Sequence, residues 1–126
     1  MSTIINTSNA PAPIGPYNQA VLAGNFLFVS GQIALDAQTG DLILTDIVTE
    51  TTKVMENIKA ILAEAGLDFS AIVKTSIFLK DMGDFAKVNE TYGAYFTGNF
   101  PARETIQVAA LPKNVNVEIS VTAYKA

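Results

Sequence analysis

The side chains that could do chemistry stand near the C-terminal end of the chain. Arg103 is the single arginine in the sequence, and Glu118 follows it in the next alternating segment. An arginine fork binds a carboxylate through two parallel hydrogen bonds, and a carboxylate can orient or deprotonate water. This pair therefore suits a cleft that holds a small acid by its carboxylate. The structural alternative is a salt bridge between the two side chains at an interface.

The composition excludes most other chemistry. The 126 residues include no cysteine and no histidine, which removes thiol nucleophiles, Ser-His-Asp machinery and metal sites built on thiolate or imidazole. The acidic residues are scattered, with no Asp-rich loop at calcium spacing, so we expect neither a metal nor another cofactor. The remaining reactions need only an anion clamp, a positioned water and proton transfer. Hydrolysis of an electrophilic imine is one of them.

The charge pattern limits the partners. The formal net charge is -4 and no basic stripe exists, so the usual electrostatic term for nucleic-acid binding is missing. Charged residues make up 16% of the chain, against about 25% in typical soluble domains, which indicates that other subunits cover part of the surface. No apolar run is long enough to span a membrane, and no lysine precedes Lys53 to begin a signal peptide. We expect a cytoplasmic protein without membrane contact.

The N-terminal part predicts a loop followed by a hairpin. The length fits one domain over residues 1–126. A proline-rich segment ending at Tyr17 reads as an ordered loop that delivers this ring to one place, after a short edge strand at residues 3–5. Two strands at residues 19–22 and 26–30 flank a Gly-Asn turn. The glycine that follows the second strand, Gly31, permits close approach of another group.

Two amphipathic helices are predicted in the middle of the chain. The first covers residues 47–65 after a capping Asp46, with apolar residues three and four apart along one stripe. The second begins at Asp81 or Asp84 and ends at about residue 97. Asn89 lies at the edge of its apolar stripe, where a solvated or capping amide is the ordinary interpretation.

Alternation predicts the remaining strands. One covers residues 73–80, with Val73 on its apolar face. Residues 102–110 place Arg103, Thr105 and Gln107 on one face, and residues 115–125 place Glu118 in a polar row. A turn at residues 111–114 would pair the last two strands as an antiparallel hairpin. Both polar rows would then share the face opposite the helices, and their small uncharged side chains indicate contact with other copies of the chain.

The predicted element order is β-β-β-α-β-α-β-β, an α+β domain with two helices on one face of a sheet. Several short motifs together resemble the Rid family (RidA, also called YjgF-type), in order and at the family's spacing over essentially the whole chain. They are Ile14-Gly15-Pro16-Tyr17, Ser30-Gly31-Gln32-Ile33, Val73-Lys74-Thr75, Asp84-Phe85 with Val88-Asn89, Pro101-Ala102-Arg103 and Val117-Glu118-Ile119.

The resemblance implies a chorismate-mutase-like fold with a mixed sheet, and a homotrimer with clefts between subunits. It implies cofactor-free deamination of 2-iminobutanoate and 2-iminopropanoate to 2-oxo acids and ammonia. It matches Arg103 to a carboxylate-binding arginine and Glu118 to an acid that helps to place the attacking water, with Tyr17 beside them. It also implies further cleft residues, namely Ser30, Gly31, Asn89 and Thr105, the last standing where many members have cysteine.

Two functions share these residues. The first is an imine deaminase that uses Arg103 and Glu118. The second is a non-catalytic module that binds a small 2-oxo acid and acts as a metabolite sensor or regulator. Both need the same arginine, so the sequence leaves them open. Glu104, beside the arginine, should point to the other side of its strand.

Overall fold

One six-stranded mixed sheet carries both helices on one face in this computed structural model, which describes residues 2–126. The observed order of strands and helices is the predicted β-β-β-α-β-α-β-β. No helix in residues 2–126 has the length and apolar character that crossing a membrane requires. The elements are β1 Ser2–Ile5, β2 Ala20–Ala23, β3 Phe26–Gln32, α1 Ile47–Glu64, β4 Ile72–Leu79, α2 Phe85–Gly93, β5 Ala102–Gln107 and β6 Val117–Tyr124.

The strands lie in the order β1-β2-β3-β6-β4-β5, and every pair is antiparallel except the parallel pair β4–β5. The predicted β5–β6 hairpin is therefore wrong, because β4 lies between these strands. Burial explains the arrangement. Alternate residues of β6 are completely buried, which suits a central strand, whereas β5 ends in the exposed Ile106 and Gln107 and suits an edge.

Helix α1 forms as predicted. The Asp46 carboxylate accepts a hydrogen bond from the Thr49 amide at 2.8 Å, as expected of an N-cap residue. Its buried stripe includes Val54, Ile58 and Ile61, which pack on the sheet. After the last turn, Gly66 adopts φ +76°, a conformation that costs glycine little.

Helix α2 is shorter than predicted. It begins at Phe85, because Asp81 caps a separate turn of 3₁₀ helix and Asp84 forms no side-chain cap. It ends at Gly93, so Tyr95 and Phe96 lie beyond it. Their rings still pack on Phe69, with centroids 5.1 and 5.8 Å away. The aromatic periodicity therefore reflects packing that continues past the end of the helix.

A bulge at the start of β4 corrects a second detail. Ile72 pairs with Ala123 and Lys74 with Thr122, so β4 holds one extra residue there. Ile72 is only 4% exposed, whereas Val73 is 43% exposed. Val73 therefore does not lie on the buried face as predicted. From Thr75 onward the alternation places the predicted apolar residues under the helices.

A buried carboxylate fastens α1 to β6. Glu50 is completely buried, and its carboxylate accepts hydrogen bonds from the Asn116 and Val117 amides at 2.8 and 3.2 Å. It also accepts one from the Asn116 side-chain amide at 2.7 Å. Because these donors lie at the entry to β6, Glu50 fixes where the strand that carries Glu118 begins. Hydrophobic periodicity gave no signal for this residue.

Replacing Glu50 by alanine is expected to lower the free energy of unfolding by about 3 kcal/mol or more, since buried N–H donors lose their acceptor. Urea unfolding followed by circular dichroism measures the change. Glu64→Ala is the control, because Glu64 is an exposed glutamate at the end of the same helix and should change stability by less than about 0.5 kcal/mol. Equal effects of the two substitutions would contradict the tether.

Candidate functional site

Arg103 and Glu118 lie on opposite faces of the sheet within one protomer. Arg103 pairs with Thr75, which is completely buried beneath the helices. Glu118 pairs with Phe78, which stands between the buried Ile77 and Leu79 on β4 and therefore lies on the helix-free face. The prediction that both side chains share the helix-free face is therefore wrong. It assumed a hairpin, whereas the register of β5 is set by parallel pairing with β4.

The guanidinium of Arg103 rests against aromatic rings of α2. Its central carbon is 5.3 Å from the ring centroid of Tyr92 and 5.8 Å from that of Phe85. Both distances fall within the range of cation–π attraction. Within residues 2–126 this side chain forms no ion pair and no hydrogen bond. Its donors are therefore held in place but remain available to an external anion.

A cavity of about 480 Å³ opens in front of Arg103. Asn89, which the family resemblance implied as a cleft residue, lies in the wall of this cavity. Thr105 lies on the same sheet face two residues along β5, and its hydroxyl is buried without a hydrogen-bond partner in residues 2–126. The cavity is lined by Asn89, Tyr92, Gly93, Phe100, Pro101 and Arg103.

The other predicted residues meet on the helix-free side. Glu118 is half-buried, and burial raises the pKa of its carboxyl above the usual 4.5. A cleft of about 410 Å³ joins it to Tyr17, Ser30 and Gly31. Apolar atoms dominate its wall, which opposes ionisation of Glu118. Completing the lining are Ile14, Ile33 and Pro112.

A bulge in β3 brings Gly31 against Glu118. The pairing of β3 with β6 shifts between Val29 and Gln32, so one extra residue is accommodated around Ser30 and Gly31. A Cβ atom on Gly31 would lie 2.7 Å from a carboxylate oxygen of Glu118 and 2.8 Å from its carboxyl carbon. Absence of a side chain at this position therefore allows the observed carboxylate position. The sequence signal for this close approach was a glycine directly after a predicted strand.

Gly31→Ala is expected to rotate the Glu118 side chain with little loss of stability, because a flexible side chain can move away from a methyl group. Turnover in any reaction that uses Glu118 as a base should fall roughly tenfold, since small misplacement of a reacting group is costly. Steady-state kinetics and thermal unfolding measure the two effects. In a Glu118→Gln background the same change should have almost no further effect on turnover, and an equal loss there would contradict the contact.

Tyr17 is delivered by a loop that Gln19 fastens. The buried Gln19 side chain accepts a hydrogen bond from the Thr7 amide at 2.6 Å. Its amide group donates to the carbonyls of Thr7, Ala10 and Pro11 at 3.0, 3.2 and 2.8 Å. The prolines had predicted an ordered loop, but sequence reasoning assigned Gln19 only to a strand. Only the tertiary structure shows this role, because it places the loop carbonyls around the Gln19 side chain.

Ser30 and Tyr17 are also held by local hydrogen bonds. The Ser30 hydroxyl donates to the Asn18 carbonyl at 2.6 Å, and the Tyr17 hydroxyl accepts from the Ile14 amide at 3.4 Å. These contacts fix the loop against the end of β3. Tyr17 as a whole is 46% exposed, so its side chain is accessible at the mouth of the cleft.

Glu104 points away from Arg103, as alternation predicted. Its carboxylate forms an ion pair with Lys74 at 2.8 Å and accepts a hydrogen bond from the Ser76 hydroxyl on the helix-free face. Hydrogen bonds from Lys74 and Ser76 lower the pKa of Glu104. This acid is therefore occupied by its own strand neighbours and does not compete for the arginine within the protomer.

The predicted site residues thus form two separate groups within the protomer. One holds Arg103, Asn89 and Thr105 on the helix side, and the other is formed by Tyr17, Ser30, Gly31 and Glu118. Residues 2–126 contain no cluster of three or more acidic, histidine or cysteine side chains that could hold a metal ion. The arrangement offers an anion clamp on one side and a half-buried base on the other.

The fold defines the class of protein. It is a two-layer α+β domain in which a six-stranded mixed sheet carries both helices on one face, the fold of the YjgF proteins. A family model described as endoribonuclease L-PSP matches residues 7–125. The chain belongs to this family, the YjgF/RidA or Rid family.

Known relatives match over nearly their whole length. A RutC family protein of Pyrococcus horikoshii is 52% identical, covering 99% of this chain and 99% of the relative. A 2-iminobutanoate/2-iminopropanoate deaminase of Mus musculus is 47% identical, covering 95% and 89%. The crystal structure of the Escherichia coli YjgF gene product is 46% identical with a TM-score of 0.93, covering 98% and 99%. That of E. coli TdcF with bound serine is 41% identical with a TM-score of 0.94 and the same coverage.

Proposed function

We propose that this protein is a cofactor-free deaminase that hydrolyses 2-iminobutanoate and 2-iminopropanoate to the 2-oxo acids and ammonia. The observation that carries the proposal is the guanidinium of Arg103, supported by two rings and without an acidic partner in residues 2–126. Two further findings support it. The mouse relative at 47% identity bears the name of this activity, and the TdcF structure contains serine, a small carboxylate.

In this proposal Arg103 holds the substrate carboxylate. The planar fork donates two parallel hydrogen bonds, and the carboxylate replaces the water that otherwise solvates the guanidinium. Asn89, in the wall of the same cavity, can hydrogen-bond the bound acid. Binding in this way fixes the imine carbon next to the carboxylate, so that the position of the reacting atom follows from the clamp.

Glu118 is the general base for the water that attacks the imine. Its carboxylate accepts a proton as the water oxygen bonds to the imine carbon, and the C=N electron pair goes to nitrogen. Glu118 returns this proton to the nitrogen, which gives a neutral carbinolamine. Glu118 then takes the proton of the carbinolamine hydroxyl and passes it to the nitrogen, so that ammonia leaves as the carbonyl forms. Burial raises the pKa of Glu118, which makes its carboxylate a stronger base for accepting the proton of the water. Tyr17 stands at the mouth of this cleft.

A site that contains both groups requires two copies of the chain, because Arg103 and Glu118 are on opposite faces of one sheet. We propose a homotrimer in which the β5 edge of one subunit, where Arg103 lies beside α2, meets the helix-free side of the next. Exposed apolar side chains support contact on the helix-free side, where Phe26 and Phe28 pack together and Tyr124 packs on Phe26. A solvated face rarely presents such a cluster.

Analytical ultracentrifugation at micromolar concentration tests the assembly. We expect a single species of three chains. Phe28→Glu should shift the population towards monomers, because a charge is placed in an apolar contact. Lys59→Glu, on the exposed surface of α1, is the control and should leave the trimer intact. A stable wild-type monomer would contradict the shared cleft.

The function itself is tested by a coupled assay in which a threonine dehydratase generates 2-iminobutanoate. We expect the protein to increase the rate of 2-oxobutanoate formation above that with dehydratase alone. Titration with 2-oxobutanoate by calorimetry separates binding from catalysis. Measurable binding without any rate increase would reject the deaminase and favour the 2-oxo acid sensor. The matching family model is described as an endoribonuclease. The net charge of -4 disfavours RNA binding, so the assay tests imine hydrolysis instead.

A further inference from the structure

We propose that Tyr92 is a positioning residue for Arg103, with its ring supporting the guanidinium and its hydroxyl fixing the ring through Thr75. This inference rests on the proposed function of Arg103 as a carboxylate clamp. It assigns a role to a residue that the sequence presents only as part of an apolar helical stripe. Tyr92 acts through the arginine, and the substrate need not touch it.

The ring of Tyr92 is the more rigid of the two supports. Its centroid is 5.3 Å from the guanidinium carbon, and Tyr92 is only 3% exposed. Phe85, at 5.8 Å, is 37% exposed and lies at the first residue of α2. A buried ring in the last turns of the helix cannot move without opening the core. Tyr92 therefore determines where the guanidinium lies, and Phe85 completes the contact.

The hydroxyl of Tyr92 gives the ring a fixed orientation. It donates a hydrogen bond of 2.9 Å to the Thr75 hydroxyl, and Thr75 is completely buried. Thr75 is also the residue that pairs with Arg103 across β4 and β5. Helix α2, β4 and β5 are thus connected by a short chain of contacts that ends at the guanidinium. Burial raises the pKa of Tyr92, so the hydroxyl stays protonated and keeps donating.

An aromatic support has a chemical advantage over an acidic one at this place. A carboxylate beside Arg103 would occupy the fork and compete with an anionic substrate. The face of an aromatic ring attracts the cation but uses none of its N–H donors. Tyr92 can therefore hold the guanidinium in position while the donors remain directed at the cavity that Asn89 and Pro101 also line.

Nuclear magnetic resonance tests the support without any ligand. Arg103 is the only arginine in the sequence, so its side-chain Nε–Hε group gives one signal. In the wild type we expect this signal to be displaced by the ring current of Tyr92. Tyr92→Phe should retain most of the displacement, and Tyr92→Leu should lose it. Tyr95→Leu is the matched control, because Tyr95 has its hydroxyl on Glu56 and its ring against Phe69.

Titration with 2-oxobutanoate then measures the consequence for binding. We expect Tyr92→Leu to weaken binding about tenfold, and Tyr92→Phe by less than about threefold, because the ring supplies most of the support. In an Arg103→Ala background, Tyr92→Leu should weaken binding less than about twofold, since the cation that the ring positions is gone. A merely structural role would weaken binding equally in both backgrounds.

The outcomes of these measurements separate the role of Tyr92 from the proposed function. Coupling between Tyr92 and Arg103, together with loss of the displaced signal in Tyr92→Leu, supports the positioning role. If wild-type protein binds 2-oxobutanoate but Tyr92→Leu neither moves the arginine signal nor weakens binding, Tyr92 is not a positioning residue and the clamp stands. If wild-type protein neither binds the oxo acid nor hydrolyses the imine, the proposed function fails and the role of Tyr92 in it fails too.

Discussion

Replacing Arg103 by lysine is expected to lower kcat/KM for imine hydrolysis at least about hundredfold, because a point charge cannot form the two parallel hydrogen bonds of the fork. The side chain forms no ion pair in residues 2–126, so only its contact with Phe85 and Tyr92 is at risk in the folded protomer. We therefore expect stability to change by less than about 1 kcal/mol. The coupled dehydratase assay and thermal unfolding measure the two quantities.

Arg103→Ala provides the control for charge and shape. It removes both, so turnover should fall at least as far as in Arg103→Lys. Added guanidinium ion should restore part of the activity of Arg103→Ala, because it can occupy the vacated place over the Tyr92 ring. It should not help Arg103→Lys, in which the ammonium fills that place. Near-normal turnover of Arg103→Lys would contradict the clamp.

Replacing Glu118 by glutamine is expected to lower kcat about hundredfold or more, within the range for loss of a general base. The amide keeps the size of the side chain beside Gly31 but cannot take a proton from water. Binding of 2-oxobutanoate should change by less than about threefold, since Arg103 still holds the carboxylate. Kinetics and calorimetry on the same protein measure this difference. Weaker binding with unchanged kcat would make Glu118 a structural partner of the clamp.

The pH dependence of turnover gives an independent check on Glu118. Burial raises the pKa of this carboxyl above 4.5, and the ionised form is the one that accepts a proton. Turnover should therefore be full above the raised pKa and fall as pH decreases through it. Glu118→Gln should lose this acidic limb, whereas Glu104→Gln should keep it, because hydrogen bonds lower the pKa of Glu104. An acidic limb that persists in Glu118→Gln would assign it to another group.

The separation of Arg103 and Glu118 has a chemical consequence. If the two side chains were adjacent on one face, they would form an ion pair. The substrate carboxylate would then have to displace Glu118 from Arg103. Because the two side chains lie on opposite faces of the sheet, the guanidinium packs on aromatic rings and the carboxylate lies in an apolar cleft. Each group is thereby suited to its proposed role, since the arginine has free donors and the glutamate has a raised pKa. The salt bridge considered from the sequence does not form within the protomer.

Local spacing predicted much of the fold. The edge strand, the first hairpin and α1 with its Asp46 cap follow from turn residues and apolar periodicity, which depend on near neighbours in the chain. The end of α2 was less predictable, because Tyr95 and Phe96 continue the apolar spacing beyond the helix. Periodicity could not predict the bulge that exposes Val73, because the bulge arises from the pairing of β4 with β6.

The sequence by itself determined the order of elements, the family motifs and the candidate residues, because these depend on residue type and on short spacing. Only the tertiary structure decided that Arg103 faces α2 and that Glu118 faces away from it. Alternation shows which residues of one strand share a face, but the relation between two strands depends on their pairing. The insertion of β4 between β5 and β6 set that relation, and it also revealed the supports, Tyr92 for Arg103 and Gly31 for Glu118.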